Sequence, residues 1–121
     1  MRDNGARFNS DSGSNYPEVY MQGNGSSASS STNNTTSSNF IYGMASGDAV
    51  MGILQIQDYS ATDKHKSYLY RSGGATDTNY GTYAAAGRWA NTSAITTITI
   101  APSGSYTLLA GSTFALFGIQ A

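Results

Sequence analysis

The chain has no cysteine. Disulfides, thiolate nucleophiles and cysteine-based metal centres are thereby excluded, and the redox compartment is left open. Charge is scarce as well: charged residues make up 11 % of the 121 residues, against roughly 25 % in an ordinary soluble domain. Hydroxyls and amides must therefore carry most of the solubility. The six Lys and Arg residues are scattered and the formal net charge is −1, with a pI of about 5.5. A nucleic-acid binder needs clustered cations to neutralise phosphates, so DNA and RNA are not expected partners. No apolar run approaches the roughly 18 residues that span a bilayer, and the start Met1-Arg2-Asp3-Asn4 is polar. Neither a signal peptide nor a membrane helix is expected, no membrane partner is implied, and synthesis in the cytoplasm follows.

Helical periodicity is also lacking. No stretch sustains apolar residues at i, i+3, i+4 and i+7 between caps. What the chain has instead is a series of short apolar runs cut by Gly, Ser and Asn: residues 19–21, 40–42, 50–56, 68–70, 94–100 and 113–119. Their β-branched and aromatic content suits a pleated surface. In the run ending at Ile100, Ile98 and Ile100 share one face and Thr97 and Thr99 the other, while Ile95 is out of phase, so a bulge or a strand start is expected near Thr96. Residues 50–56 place Val50, Leu54 and Ile56 on one face and Met51 and Ile53 on the other, as in a central strand or one at a subunit interface. The last run has the same character, with Phe114 and Leu116 facing one way and Phe117 and Ile119 the other. Several short strands and no helices predict an all-β fold, an antiparallel β-sandwich of jelly-roll type. At this length one domain is expected, residues 8–121, preceded by a flexible arm over residues 1–7.

From Gly23 to Asn39 every residue except Ala28 is Gly, Asn, Ser or Thr. Such a stretch is a solvated loop, a polar edge strand, or a segment ordered by pairing with a partner chain.

Catalytic chemistry finds little support. His65 is the only histidine and stands between Lys64 and Lys66, and no Gly-x-Ser-x-Gly turn presents a serine to it. Gly23-Asn24-Gly25 imitates a dinucleotide fingerprint but leads into Ser/Thr/Asn sequence rather than a helix, so no cofactor is implied. Asp58, Asp63, Asp77 and Asn79 offer oxygens to calcium without the spacing of a known loop, and acidic residues in turns are ordinarily turn formers. No metal, cofactor or catalytic residue is therefore assigned. The strongest positive feature is nine tyrosines, with Trp89 as the single tryptophan. Tyrosine offers a large apolar face with a hydroxyl that tolerates a wet rim, and aromatics stack on sugars, although strand propensity alone accounts for many of them.

Three segments carry a resemblance: residues 8–16, Phe-Asn-Ser-Asp-Ser-Gly-Ser-Asn-Tyr; Trp89-Ala90-Asn91-Thr92 followed by residues 95–100; and residues 110–119, Ala-Gly-Ser-Thr-Phe-Ala-Leu-Phe-Gly-Ile. Together they resemble small structural proteins of tailed bacteriophages, in which Tyr often stands where this chain has Phe117. The resemblance implies a non-enzymatic virion component with a jelly-roll-like sandwich. Because only seven residues precede Phe8, a capsid decoration or cement protein fits better than a fibre tip behind a stalk. The implied partners are the major capsid protein and other copies of the chain, as a homo-oligomer of trimeric type, on the capsid surface of the virion. Candidate contacts are Met51, Ile53, Phe117 and Ile119, as subunit or core residues, with Met1, Arg2 and Arg7 of the arm reaching the capsid. The alternative is a receptor-binding fibre tip recognising host glycans through its aromatic residues.

Overall fold

The computed structural model describes residues 5–41, 49–74, 81–102 and 107–119. Among them are seven strands and no helix: β1 (Gly5–Phe8), β2 (Tyr16–Gly23), β3 (Ala28–Thr35), β4 (Val50–Ile56), β5 (Lys66–Gly74), β6 (Thr82–Trp89) and β7 (Ile98–Ala101). They form a five-stranded antiparallel sheet, in the order β3-β2-β6-β5-β4, and a two-stranded antiparallel sheet of β1 and β7. The two sheets pack against each other as a β-sandwich, as the short apolar runs predict.

Alternation decides which face of the large sheet is covered. Along β5, Lys66, Tyr68, Tyr70 and Ser72 are buried while the residues between them are exposed, and Tyr83, Ala85 and Trp89 repeat the pattern on β6. Phe8 from the small sheet inserts over this face. Its ring lies 5.7 Å from Tyr16, 6.1 Å from Tyr68 and 5.9 Å from Trp89, the last two edge-on. Edge-on contacts place positive ring edges against negative ring faces and add about 0.5–1.5 kcal/mol each beyond area burial. Phe40 and Ile95 complete the core from loops.

The turns follow local chemistry. Asn24 Oδ1 accepts the backbone N–H of Ser26 at 3.0 Å and of Ser27 at 2.8 Å, and Gly25 supplies a φ of +86° that a side chain would oppose. The apparent dinucleotide fingerprint is thus the turn of the β2–β3 hairpin, and the polar stretch that follows supplies an edge strand paired along β2. Asn9, itself at a φ of +51°, gives its side-chain amide to Ala94 O and accepts from Thr96 N and Thr97 N, fastening the β1–β2 turn to the approach of β7.

Several expectations are corrected. β1 begins at Gly5 and pairs with β7, so residues 5–7 belong to the sheet rather than to a free arm. Residues 4 and below, with Met1 and Arg2, lie outside the described residues. β4 is an edge strand, not a central one, because no other described strand reaches its outer side. The strand start expected near Thr96 falls at Ile98, where pairing with β1 begins, and Ile95 before it is buried singly, its N–H bonded to Tyr59 O at 2.7 Å. Residues 40 and 41 form no strand, Tyr42 lying outside the described residues, and residues 113–119 pair with no described strand of their own chain.

Candidate interaction surface

Two features stand out once the sandwich is assembled: a polar network closed inside it and an apolar surface left outside it. The network centres on Glu18. Tyr16, Glu18 and Tyr20 share one face of β2, and the registers align Glu18, Gly87, Tyr68 and Ile56 in one row across the sheet. Gly87 makes the contact possible. A Cβ there would lie 2.5–2.6 Å from the Tyr68 ring and hydroxyl, so Tyr68 lies over the glycine and reaches toward Glu18. Tyr68 Oη donates to Glu18 Oε2 at 3.3 Å, Tyr70 Oη to Oε1 at 3.3 Å and Asn39 Nδ2 to Oε1 at 2.8 Å.

Glu18 is only 4 % exposed. Burial drives its carboxyl upward; the donors from Asn39, Tyr70 and Tyr68 pull it back without cancelling that effect, so it stays above its ordinary value of 4.5. Burial and the neighbouring carboxyl in turn push both phenols far above their usual range, keeping Tyr68 and Tyr70 as donors. Three hydroxyl- or amide-bearing donors thus converge on one buried acceptor. Replacing Gly87 with Ala is expected to cost about 2 kcal/mol by overpacking against Tyr68, read as a lower urea midpoint. An unchanged midpoint would show that the tyrosine does not depend on the glycine.

A second polar cluster joins the β1–β2 turn to the end of β6. Trp89 Nε1 donates to Asp11 Oδ2 at 2.7 Å, and Asp11 also accepts from Asn15 Nδ2 and Gly13 N–H. Burial alone would raise the Asp11 carboxyl, but these bonds outweigh it and hold it below 3.8. Beside them Lys66 is fully buried, its Nζ donating to Lys64 O at 2.9 Å and Thr92 O at 2.7 Å and lying 5.9 Å from the Trp89 ring. Sequence reasoning missed Glu18, Asn39 and Lys66. The available signal was parity: Glu18 shares its face with two tyrosines, and Lys66 with Tyr68 and Tyr70.

The outer face of the large sheet is covered by no described residue and sets an aliphatic patch among polar and cationic side chains. One row across it reads Thr32, Val19, Ala86, Leu69, Gln55; the next reads Ser30, Met21, Ala84, Arg71, Ile53. Met51 and Ile53, on the edge strand, are 73 % and 51 % exposed. Farther along the chain, Phe117 and Ile119 are 86 % and 90 % exposed. Thus all four apolar contact candidates lie outside the core of the single chain, Met51 and Ile53 on the sheet and Phe117 and Ile119 in the terminal segment. Arg7 is half-buried in β1, with Nε donating to Thr36 O at 3.1 Å.

Other candidates are dispersed. His65 is exposed in the β4–β5 loop, where Asp58 and Lys64 approach to 3.9 Å with both side chains about half exposed, a pairing of little energetic weight. Asp77 and Asn79 lie outside the described residues, and no group of three metal-ligating side chains occurs among those described. Of the tyrosines, Tyr16, Tyr68, Tyr70 and Tyr83 are buried and Tyr59 is exposed, while Tyr42, Tyr80 and Tyr106 lie outside the described residues. No described helix is long and apolar enough to cross a membrane. Comparison with protein-family models, curated proteins and solved structures finds no match to this chain.

Proposed function

We propose that the chain is a non-enzymatic virion structural protein of a tailed bacteriophage, a capsid decoration or cement protein that binds the assembled major capsid lattice as a homo-oligomer. The observation that carries this reading is the exposed aliphatic patch of Val19, Met21, Met51, Ile53 and Leu69 on the outer face of the large sheet. Such a surface is suited to burial against another protein rather than to conversion of a small molecule. Burial is also tolerant of salt, since it does not depend on screened ion pairs. Many copies on a repeating lattice turn a modest contact into a durable one, because each bound subunit raises the effective concentration of its linked neighbours.

Glycan recognition would use Tyr59, Phe114 and Phe117, the exposed aromatic residues among those described. Four of the six described tyrosines, and the tryptophan, are spent inside the sandwich and offer no stacking platform. Cosedimentation of the purified chain with bare capsids is expected to saturate at a fixed ratio to the major capsid protein and to persist in high salt. Specific retention on a glycan array without capsid binding would overturn the proposal.

A further inference from the structure

We propose that residues 113–119 of one copy add as a strand to the outer edge of β4 in a second copy, linking the chains head to tail. The inference rests on the homo-oligomer of the proposed function and supplies its means. Residues 113–119 read Thr-Phe-Ala-Leu-Phe-Gly-Ile, a strand composition with neither charge nor proline. They nevertheless stand apart from both sheets: Leu116 is 84 % exposed, and the backbone bond described in this region is the turn from Ser112 N to Leu109 O, where Gly111 takes a φ of +94°. A segment apolar at successive positions, whose backbone pairs with no described strand, lacks a partner.

β4 offers the complementary vacancy. A sheet edge presents a row of unsatisfied backbone groups, and proteins ordinarily blunt such edges with charge, proline or brevity. The other described edges differ: β7 has four residues, and β3, though as long as β4 and equally without charge or proline, carries hydroxyls and amides after its first alanine instead of apolar side chains. β4 is seven residues long, Val-Met-Gly-Ile-Leu-Gln-Ile, with no charge and no proline. Residues 113–119 match it in length. Both strands are also apolar on both faces, so pairing would set the phenylalanines beside Met51 and Ile53 on one side and beside Leu54 and Ile56 on the other.

The area is adequate. A buried phenylalanine removes about 150–250 Å² from water, so Phe114 and Phe117 at their present exposures supply roughly 300 Å² between them. Their neighbours and the receiving edge add a comparable amount. Two copies that exchange strands reciprocally thus bury about 1,200 Å², the lower end of a stable interface, whereas each contact of a larger ring buries about half of that. Because each copy gives one strand and receives one, the exchange closes as a reciprocal pair or as a ring, a trimer among them.

Two variants test the exchange in the full chain by light scattering and native mass spectrometry. Leu116→Asp with Phe117→Asp removes the donor, and Met51→Lys with Ile53→Lys blocks the receiver; all four sites are exposed in the single chain. The unaltered chain is expected to be oligomeric, and each variant alone to fall to the 12.7 kDa mass of one chain. Mixing the two variants should yield a dimer of one of each, because one donor and one receiver remain intact. That restored dimer shows that both variants fold, and Leu116→Ser with Phe117→Ser repeats the donor defect without added charge. Oligomers that survive in both variants would overturn strand exchange while leaving the homo-oligomer intact. A monomeric unaltered chain would overturn both.

Discussion

Replacing Trp89 with Ala is expected to lower the free energy of unfolding by about 4 kcal/mol, within the range for deleting a large buried aromatic side chain. Trp89 is fully buried and meets Phe8 edge-on, so its loss opens a cavity where the small sheet rests on the large one. Two further effects act in the same direction. Asp11 loses the 2.7 Å donor that orders the β1–β2 turn, and Lys66 loses the ring face beside its ammonium group. Against a total stability of about 5–15 kcal/mol for a domain of this kind, such a loss is severe. Urea titration followed by far-UV circular dichroism measures it, since the variant lacks the only tryptophan. Trp89→Phe separates the contributions, keeping a ring against Phe8 while removing the bond to Asp11. A loss under about 2 kcal/mol for Trp89→Ala would mean that the core does not hinge on this residue.

Glu18 carries the second large effect, and its sign depends on pH. Glu18→Ala leaves Asn39 Nδ2 and the Tyr68 and Tyr70 hydroxyls without their acceptor, each costing about 1–3 kcal/mol, offset in part by relief of a buried charge. A net loss of about 3 kcal/mol is expected. Glu18→Gln keeps a carbonyl acceptor and removes the ionisation. In the native protein the carboxyl is held above 4.5, so the folded state binds the proton more tightly than the unfolded state does. Stability from this group is therefore greatest below that pH and declines as pH rises through the raised value. Asp11 acts in the opposite sense and in a different window: held below 3.8, it contributes stability above that pH, which is lost on further acidification. Subtracting the Glu18→Gln denaturation profile from that of the native protein should leave a decline with rising pH that begins near pH 4.5. A flat difference would show that Glu18 ionises in the fold as freely as in the unfolded chain.

Much of the fold was legible because strands advertise their side-chain pattern. Residues 50–56 coincide with β4, and the β-branched and aromatic runs at residues 19–21 and 68–70 lie within β2 and β5. Period-two alternation does not say which face turns inward, however. On β2 the aliphatic face, Val19 and Met21, is outside and the Tyr-Glu-Tyr face is inside, because an acceptor among the tyrosines lets hydroxyls enter a core. Composition is equally silent about pairing: residues 113–119 have the makings of a strand, yet a strand exists only where another edge meets it. The candidate contacts at Met51, Ile53, Phe117 and Ile119 were suggested by apolar residues on both faces, a pattern that marks surplus surface without saying whether the core or a neighbour takes it. Glu18 escaped notice because its partners, Asn39, Tyr68 and Tyr70, come from segments far away in sequence.

The β2–β3 hairpin divides the sheet thermodynamically. β3 is bound to β2 by its backbone, yet Thr35 is its only buried residue. Peeling it away would break a ladder of hydrogen bonds while exposing almost no apolar area, so the opening would have a small heat capacity and a weak dependence on denaturant. The strands around Tyr68 and Tyr83 cannot open without wetting the aromatic core. One sheet thus contains two kinds of cooperativity: a lateral strand that frays at nearly constant cost in any solvent, and a centre that survives until the whole molecule unfolds.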